Sequence, residues 1–401
     1  MAKPEIRLKG FDGEWIQSRL GRIFSERIER NIDGEMLSVT MNAGIIKAST
    51  NGRYDNSSSD RSNYKVVKVN DIAYNSMRMW QGASGCSQYE GIVSPAYTVV
   101  TPSDGIDSKF FAYLFKTKAM INEFRLNSQG LTSDTWNLKY PSFSKILVHY
   151  PQRIEEQQTI VDFFKSLDSM IQGVTKKISS LRQMKQACLV SMFPQTGETK
   201  PRVRFKGFEE DWEIVKLSSI ATRVTRKNSH LESTLPLTIS AAEGLIEQTA
   251  FFNNVVASSN VSGYYLVKRG EFAYNKSYSN GYPFGAVKRL DRYDMGVLST
   301  LYIVFSVSET ICSDYIVHFF DTSLWHQEVA KRAAEGARNH GLLNIGAEDF
   351  LDIDIIVPQS KEEQQKIASF FHSLDSQISL QEQRLEKLKQ IKSACLDKMF
   401  V

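Results

Sequence analysis

Four polar, glycine-bearing segments concentrate the side chains suited to recognition chemistry. In the first half, residues 75–85 supply Asn75, Arg78, Trp80 and Gln81, and residues 128–137 supply Ser133, Asp134, Trp136 and Asn137. In the second half, residues 275–285 supply Asn275, Lys276, Ser277 and Tyr278, and residues 335–344 supply Arg338, Asn339 and His340. Amides, guanidinium groups and hydroxyls offer the paired donors and acceptors that match base edges and phosphates. The same residue types also build turns by bonding their own backbone, so composition leaves both readings open.

Catalytic signatures are missing around these segments. There is no GxxxxGK[ST] phosphate loop, no GxGxxG opening a helix, and no HExxH, CxxC or GxSxG. No AsnProProTyr-like amino-methylating motif occurs either. Four cysteines without CxxC spacing argue against a disulfide framework or a zinc site. Cys86 and Cys312 have no adjacent histidine, and His340 is the histidine best placed to act in a loop. The reading is of a chain that binds, with no metal and no catalytic group of its own.

Composition fits a folded chain of several domains: 401 residues, 42% hydrophobic and 23% charged. No apolar run reaches the roughly 20 residues a membrane helix needs, and the start of the chain lacks a signal-peptide stretch, so the expected location is the cytoplasm. Net charge is +4. Residues 1–150 hold 19 Lys+Arg against 15 Asp+Glu, and residues 201–358 hold 16 against 19. Phosphate binding by the second half would therefore rest on local clusters such as Arg223, Arg226 and Lys227, or Lys288, Arg289 and Arg292.

The elements that position the loops occur twice. PEIRLKGF at 4–11 returns as PRVRFKGF at 201–208, and Trp15 as Trp212. AlaTyrAsn at 73–75 returns at 273–275. From residue 151 the match is dense at a constant offset: ProGln, GluGluGlnGln, SerLeuAspSer, AlaCysLeu and MetPhe recur 207 positions on. Bodies that diverge beside tails that do not suggest one kind of job done on two different targets.

The tails read as long helices. Steps of four and three from Ile160 meet Phe164, Leu167, Ile171, Val174, Ile178, Leu181, Lys185, Cys188 and Met192. The same steps from Ile367 meet Phe371, Leu374, Ile378, Gln381, Leu385, Leu388, Lys392, Cys395 and Met399. These are apolar seams of coiled-coil type, with a lysine at the same step in both, and an antiparallel pair is the natural arrangement. Cys188 and Cys395 sit on the seam as small hydrophobes. Glu155, Glu156, Glu362 and Glu363 suit the positive ends of the helix dipoles. The bodies alternate like strands at 64–70, 96–100, 145–150, 264–268, 301–305 and 352–358, with helical spacing at 110–116 and 313–320. The fold class is α+β.

GlyPhe with a tryptophan four residues on, AlaTyrAsn before a loop, and ProGln with GluGluGlnGln opening a long helix, all present twice, resemble the specificity subunit of type I restriction–modification systems. The resemblance covers essentially the whole chain. It implies a target recognition domain at 1–150, a conserved spacer helix at 151–193, a second recognition domain at 194–357 and a second helix at 358–401. It further implies that each domain reads one half of a bipartite double-stranded DNA target, and that helix length sets the spacer. Two modification subunits would bring S-adenosylmethionine for adenine N6 methylation, and restriction subunits would bring ATP and Mg, this chain remaining non-catalytic. Two other readings compete: a stand-alone nucleic-acid enzyme, and a coiled-coil scaffold with two protein-binding domains and no DNA readout.

Overall fold

A computed structural model describes residues 3–41, 43–50, 60–240, 243–252, 260–277, 281–333 and 343–401. The chain forms two compact units, residues 1–176 with 382–401, and residues 177–381. In chain order the first body holds β1 (Ile16–Arg19), α1 (Leu20–Ile23), β2 (Phe24–Glu26), β3 (Leu37–Thr40), β4 (Gly44–Lys47), β5 (Lys65–Val67), β6 (Ile72–Asn75), β7 (Ser84–Cys86), β8 (Gly91–Val93) and β9 (Tyr97–Pro102), then α2 (Ser108–Leu114), α3 (Lys118–Leu126), α4 (Tyr140–Phe143) and β10 (Leu147–Tyr150). The helix α5 (Ile154–Met192) follows. The second body holds β11 (Glu213–Lys216), α6 (Leu217–Ile220), β12 (Ala221–Arg223), β13 (Leu237–Ser240), β14 (Gly244–Glu247), α7 (Gln248–Phe252), β15 (Tyr265–Lys268), β16 (Phe272–Asn275), β17 (Ala286–Arg289), β18 (Met295–Leu298) and β19 (Ile303–Val307). It ends with α8 (Ser313–Phe319), α9 (Leu324–Arg332), α10 (Ala347–Leu351) and β20 (Asp354–Val357), before the helix α11 (Lys361–Lys398).

The duplication is structural as well as textual. Each body has a four-stranded antiparallel sheet, in the order β2-β9-β6-β7 in one and β12-β19-β16-β17 in the other. Each adds three two-stranded ladders in matching places: β1 with β10, β3 with β4 and β5 with β8, against β11 with β20, β13 with β14 and β15 with β18. The repeated AlaTyrAsn lies on the central strands β6 and β16, in register with β9 (Ala73 opposite Val99) and β19 (Ala273 opposite Val304). Ala73, Tyr74, Ala273 and Tyr274 are fully buried. The tyrosine rings stack on Phe143 (5.1 Å) and on Phe350 (4.2 Å).

The helix seams bury as their spacing requires. In the first unit Ile160, Phe164 and Leu167 of α5 join Met399 and Phe400 and the body's own aromatic core. The end of α11 runs antiparallel to the start of α5 there: Phe400 stacks on Phe164 at 5.7 Å, and Lys392 Nζ lies 2.5 Å from Asp168. In the second unit the end of α5 meets the start of α11: Phe193 lies 6.0 Å from Phe371, and Lys185 Nζ lies 2.7 Å from Asp375. Asp168 and Asp375 are repeat equivalents, as are Lys185 and Lys392. The lysine that interrupts each seam thus neutralises the repeated aspartate across the helix pair. Each helix packs on its own body as well as along the other helix.

The second acid of each GluGluGlnGln does more than face a helix dipole. Glu156 accepts a bidentate pair from Arg7 (2.8 Å twice), and Glu363 one from Arg204 (2.7 and 2.9 Å). Both carboxylates are buried, whereas Glu155 and Glu362 stay exposed. The following glutamine ties the helix to the body. Gln157 Oε1 accepts from Asp107 N and its amide donates to Pro151 O; Gln364 makes the same pair of bonds with Cys312 N and Pro358 O. Planar forks of this kind fix direction as well as distance.

Candidate nucleic-acid interface

Strand β6 ends in Asn75, whose side-chain oxygen accepts from Met77 N at 3.0 Å, a turn that starts the loop to β7. Asn275 does the same at the end of β16, accepting from Ser277 N at 3.0 Å. Both repeated asparagines are therefore turn formers through Oδ1, which leaves their NH₂ groups for other partners. After Asn75 the chain makes a short 3₁₀ turn, Met79–Gln81, pinned by the fully buried Met79. Arg78 and Gln81 are exposed and bond each other at 3.3 Å. Trp80 donates to Met77 O at 3.0 Å and meets Trp136 edge to face at 5.2 Å.

That ring contact brings the two loops of the first body together. Leu138 N donates to Ser76 O at 2.8 Å, and Gln129 and Asn137 exchange backbone bonds that close the second loop. Ser133 and Asp134 lie exposed within it, beside the fully exposed Leu131. Asn137 Oδ1 is buried and has no hydrogen-bond partner. The first-body candidates thus fall on two loops joined by Trp80 and Trp136.

The second body repeats the joint. Leu343 N donates to Lys276 O at 2.9 Å, and Lys276 Nζ donates to Ile345 O at 3.2 Å. The loop after β16 is thereby fastened to the flank of the segment that carries Arg338, Asn339 and His340. Those three and Tyr278 lie outside the described residues; Ser277 is half-buried. Gly285 ends this loop at φ +77°, and a Cβ there would stand 2.0 Å from Asn275 O.

Sequence reasoning missed the residues that hold these loops. Lys116, just after α2, is a half-buried amine donating to three backbone carbonyls: Met41 O (2.9 Å), Ser84 O (2.9 Å) and Gly82 O. Burial lowers its pKa to about 8, so near neutrality it is mostly charged and carries three donors for three acceptors. Asp321 stands just after α8. It contacts Lys288 on β17 (3.1 Å) and Lys185 (3.0 Å), with His318 Nδ1 3.7 Å away. Burial alone would raise its pKa, but His318, Lys288 and Lys185 outweigh that and hold the carboxyl far below the usual range. A depressed native pKa stabilises the fold above the unfolded-chain value of about 3.9 and ceases to do so as pH falls toward the native value. Wild-type protein is therefore expected to lose melting temperature below about pH 4 more steeply than Asp321→Asn. Parallel melting curves against pH would contradict this account of Asp321.

His318, Asp321 and Asp375 converge closely enough to suggest a metal site, but the Lys185 ammonium already bridges the two carboxylates. Burial pushes the Cys86 thiol up to about 12, which makes it no nucleophile. The basic clusters expected to serve phosphates in the second body are largely engaged internally. Arg226 pairs with Glu271, Lys288 with Asp321, Arg289 with Asp291 and Asp314, and Arg292 with Glu243. Among the described residues no helix is long and apolar enough to cross a membrane.

Two copies of one α+β body, each ending in a long helix, with a pair of joined polar loops in the first, make a duplicated protein of one architecture. The family model described as the type I restriction modification DNA specificity domain matches residues 14–183 and again residues 209–390, and the chain belongs to that family. Its fold is similar to that of the type I restriction–modification S subunit from M. genitalium, at TM-score 0.57 and 14% identity, over 100% of this chain and 99% of that one. It is also similar to a chain from a structure titled for complex assembly and conformational transition of the type I R-M system, at TM-score 0.54 and 13% identity, over 96% and 97% of the two chains.

Proposed function

We propose that this chain is the DNA-reading, non-catalytic subunit of a type I restriction–modification enzyme, with each body reading one block of an asymmetric bipartite duplex target. The observation that carries the reading is the contrast within the duplication. The sheet order, the Arg–Glu forks and the glutamine anchors are the same twice, while the loops at the ends of β6 and β16 share little beyond their asparagines. A protein that meets one partner twice keeps its anchors, and one that meets two DNA blocks varies its loops. Two modification subunits carrying S-adenosylmethionine for adenine N6 methylation, and restriction subunits using ATP and Mg, complete the proposed assembly, which works in the cytoplasm. Each mismatched base pair in such a site costs about 1–3 kcal/mol, so two short blocks read together give the discrimination that one cannot.

Selection from a random duplex library by the chain assembled with its modification partner tests this. The expected product is one motif of two dissimilar blocks with a gap of constant length. Retention of duplexes without any shared motif would contradict it.

A further inference from the structure

Lys116 and Asp321 occupy the same place in the two bodies. Each directly follows a buried phenylalanine after the equivalent helix, Phe115 after α2 and Phe320 after α8. Each precedes a threonine that bonds back to its helix: Thr117 to Leu114 O at 2.8 Å, and Thr322 to Phe319 O at 2.7 Å. The charges at this place are opposite, yet both side chains reach the chain where it leaves the recognition loop. Lys116 holds the carbonyls of Gly82 and Ser84, at the entry to β7. Asp321 holds the Lys288 ammonium on β17.

The surroundings show why a clamp is needed there. β7 is three residues of Ser-Gly-Cys, with little apolar side chain to hold it. Its Gly85 lies so close to Gly44 that a Cβ would stand 2.8 Å from the Gly44 Cα, and Lys116 also holds Met41 O, just ahead of that contact. The amine thus fixes β7 and the β3–β4 turn against each other, with Trp80 and Gln81 immediately upstream. In the second body β17 carries its own side-chain handle, Lys288, and an acid serves in place of the amine. Lys116 takes its partners from β7, from Gly82 just ahead of it and from the turn ahead of β4, whereas Asp321 ties Lys288 on β17 to Lys185 on α5; in both bodies charge-assisted bonds define the strand's position more narrowly than apolar packing alone does.

We infer that Lys116 and Asp321 are equivalent positioning residues, each setting the geometry of the recognition loop of its own body and thereby the specificity of one DNA block. This rests on the DNA reading proposed above. Neither touches DNA; each acts through the strand leaving the loop.

The test compares genomic methylation in strains carrying wild type, Lys116→Met, Asp321→Asn and Asp321→Glu in the complete enzyme. Lys116→Met is expected to relax one block, with the preference for matched over singly mismatched sites falling about tenfold, while the other block is unchanged. Asp321→Asn is expected to relax the opposite block, and Asp321→Glu, which keeps the carboxylate, to recover part of the loss. In 5-fluorotryptophan-labelled protein, Lys116→Met should move the ¹⁹F resonances of Trp80 and Trp136 and leave those of Trp212 and Trp325 in place. Should Lys116→Met not accumulate, the Asp321 pair carries the same test in the other body. Wild-type preferences at both blocks in the variants, or equal relaxation of both blocks by one variant, would overturn the inference. A wild-type strain with no gapped motif dependent on this gene would instead contradict the underlying DNA reading.

Discussion

Arg204→Ala is expected to destabilise the second unit by about 3–5 kcal/mol, the range for removing one partner of a buried ion pair. The loss does not come from the attraction alone. Glu363 is 1% exposed, and without the guanidinium its carboxylate is left charged and dry at the start of α11. The equivalent change in the first unit, Arg7→Ala, is expected to cost less. Glu156 keeps a second donor, the Trp15 indole at 3.2 Å, whereas the Trp212 indole nitrogen is buried without a partner. Urea unfolding followed by circular dichroism, with hydrogen exchange at the starts of α5 and α11, measures both. Equal costs would contradict the part given to the Trp15 indole, and a cost under about 1 kcal/mol for Arg204→Ala would show that the fork behaves as an exposed pair.

Gly285→Ala is expected to be the more damaging of the glycine-to-alanine changes at 281 and 285 in the loop after β16. A left-handed backbone costs a non-glycine residue about 1–2 kcal/mol. Here the added carbon would also stand 2.0 Å from Asn275 O, in a strand ladder that cannot shift without moving the loop's first turn. Gly281→Ala is the internal control: its φ is +82°, but a Cβ there meets open space. The control is expected to show the backbone cost alone, and Gly285→Ala that cost plus loss of one DNA block. Matching melting temperatures and matching specificities for the two variants would contradict the close approach.

Much of this architecture was legible because repetition exposes it. The AlaTyrAsn pair falls on the central strands, and the four-three stepping of the tails falls on α5 and α11, since long periodic segments declare themselves. The strands β7 and β3 and the hairpin β13–β14 were not legible. They are three or four residues each, and β7 in particular is held by a close glycine contact and a lysine clamp that no local pattern announces. The GluGluGlnGln acids were visible but assigned to the helix dipole, because their arginine partners lie about 150 residues away in sequence. At the candidate site, the first-body residues do come together on two joined loops. Joining them depends on Trp80 meeting Trp136, a tertiary contact that spacing cannot disclose. Asn75 and Asn275 stand where composition placed them, but each spends its oxygen on a turn.

The most direct measurement is a base-resolution methylome of the host with and without this gene. Loss of N6-methyladenine at one asymmetric, gapped motif, and at no other, is the result expected of a subunit that reads two DNA blocks. An unchanged methylome, with the chain expressed alongside its modification partner, would contradict it.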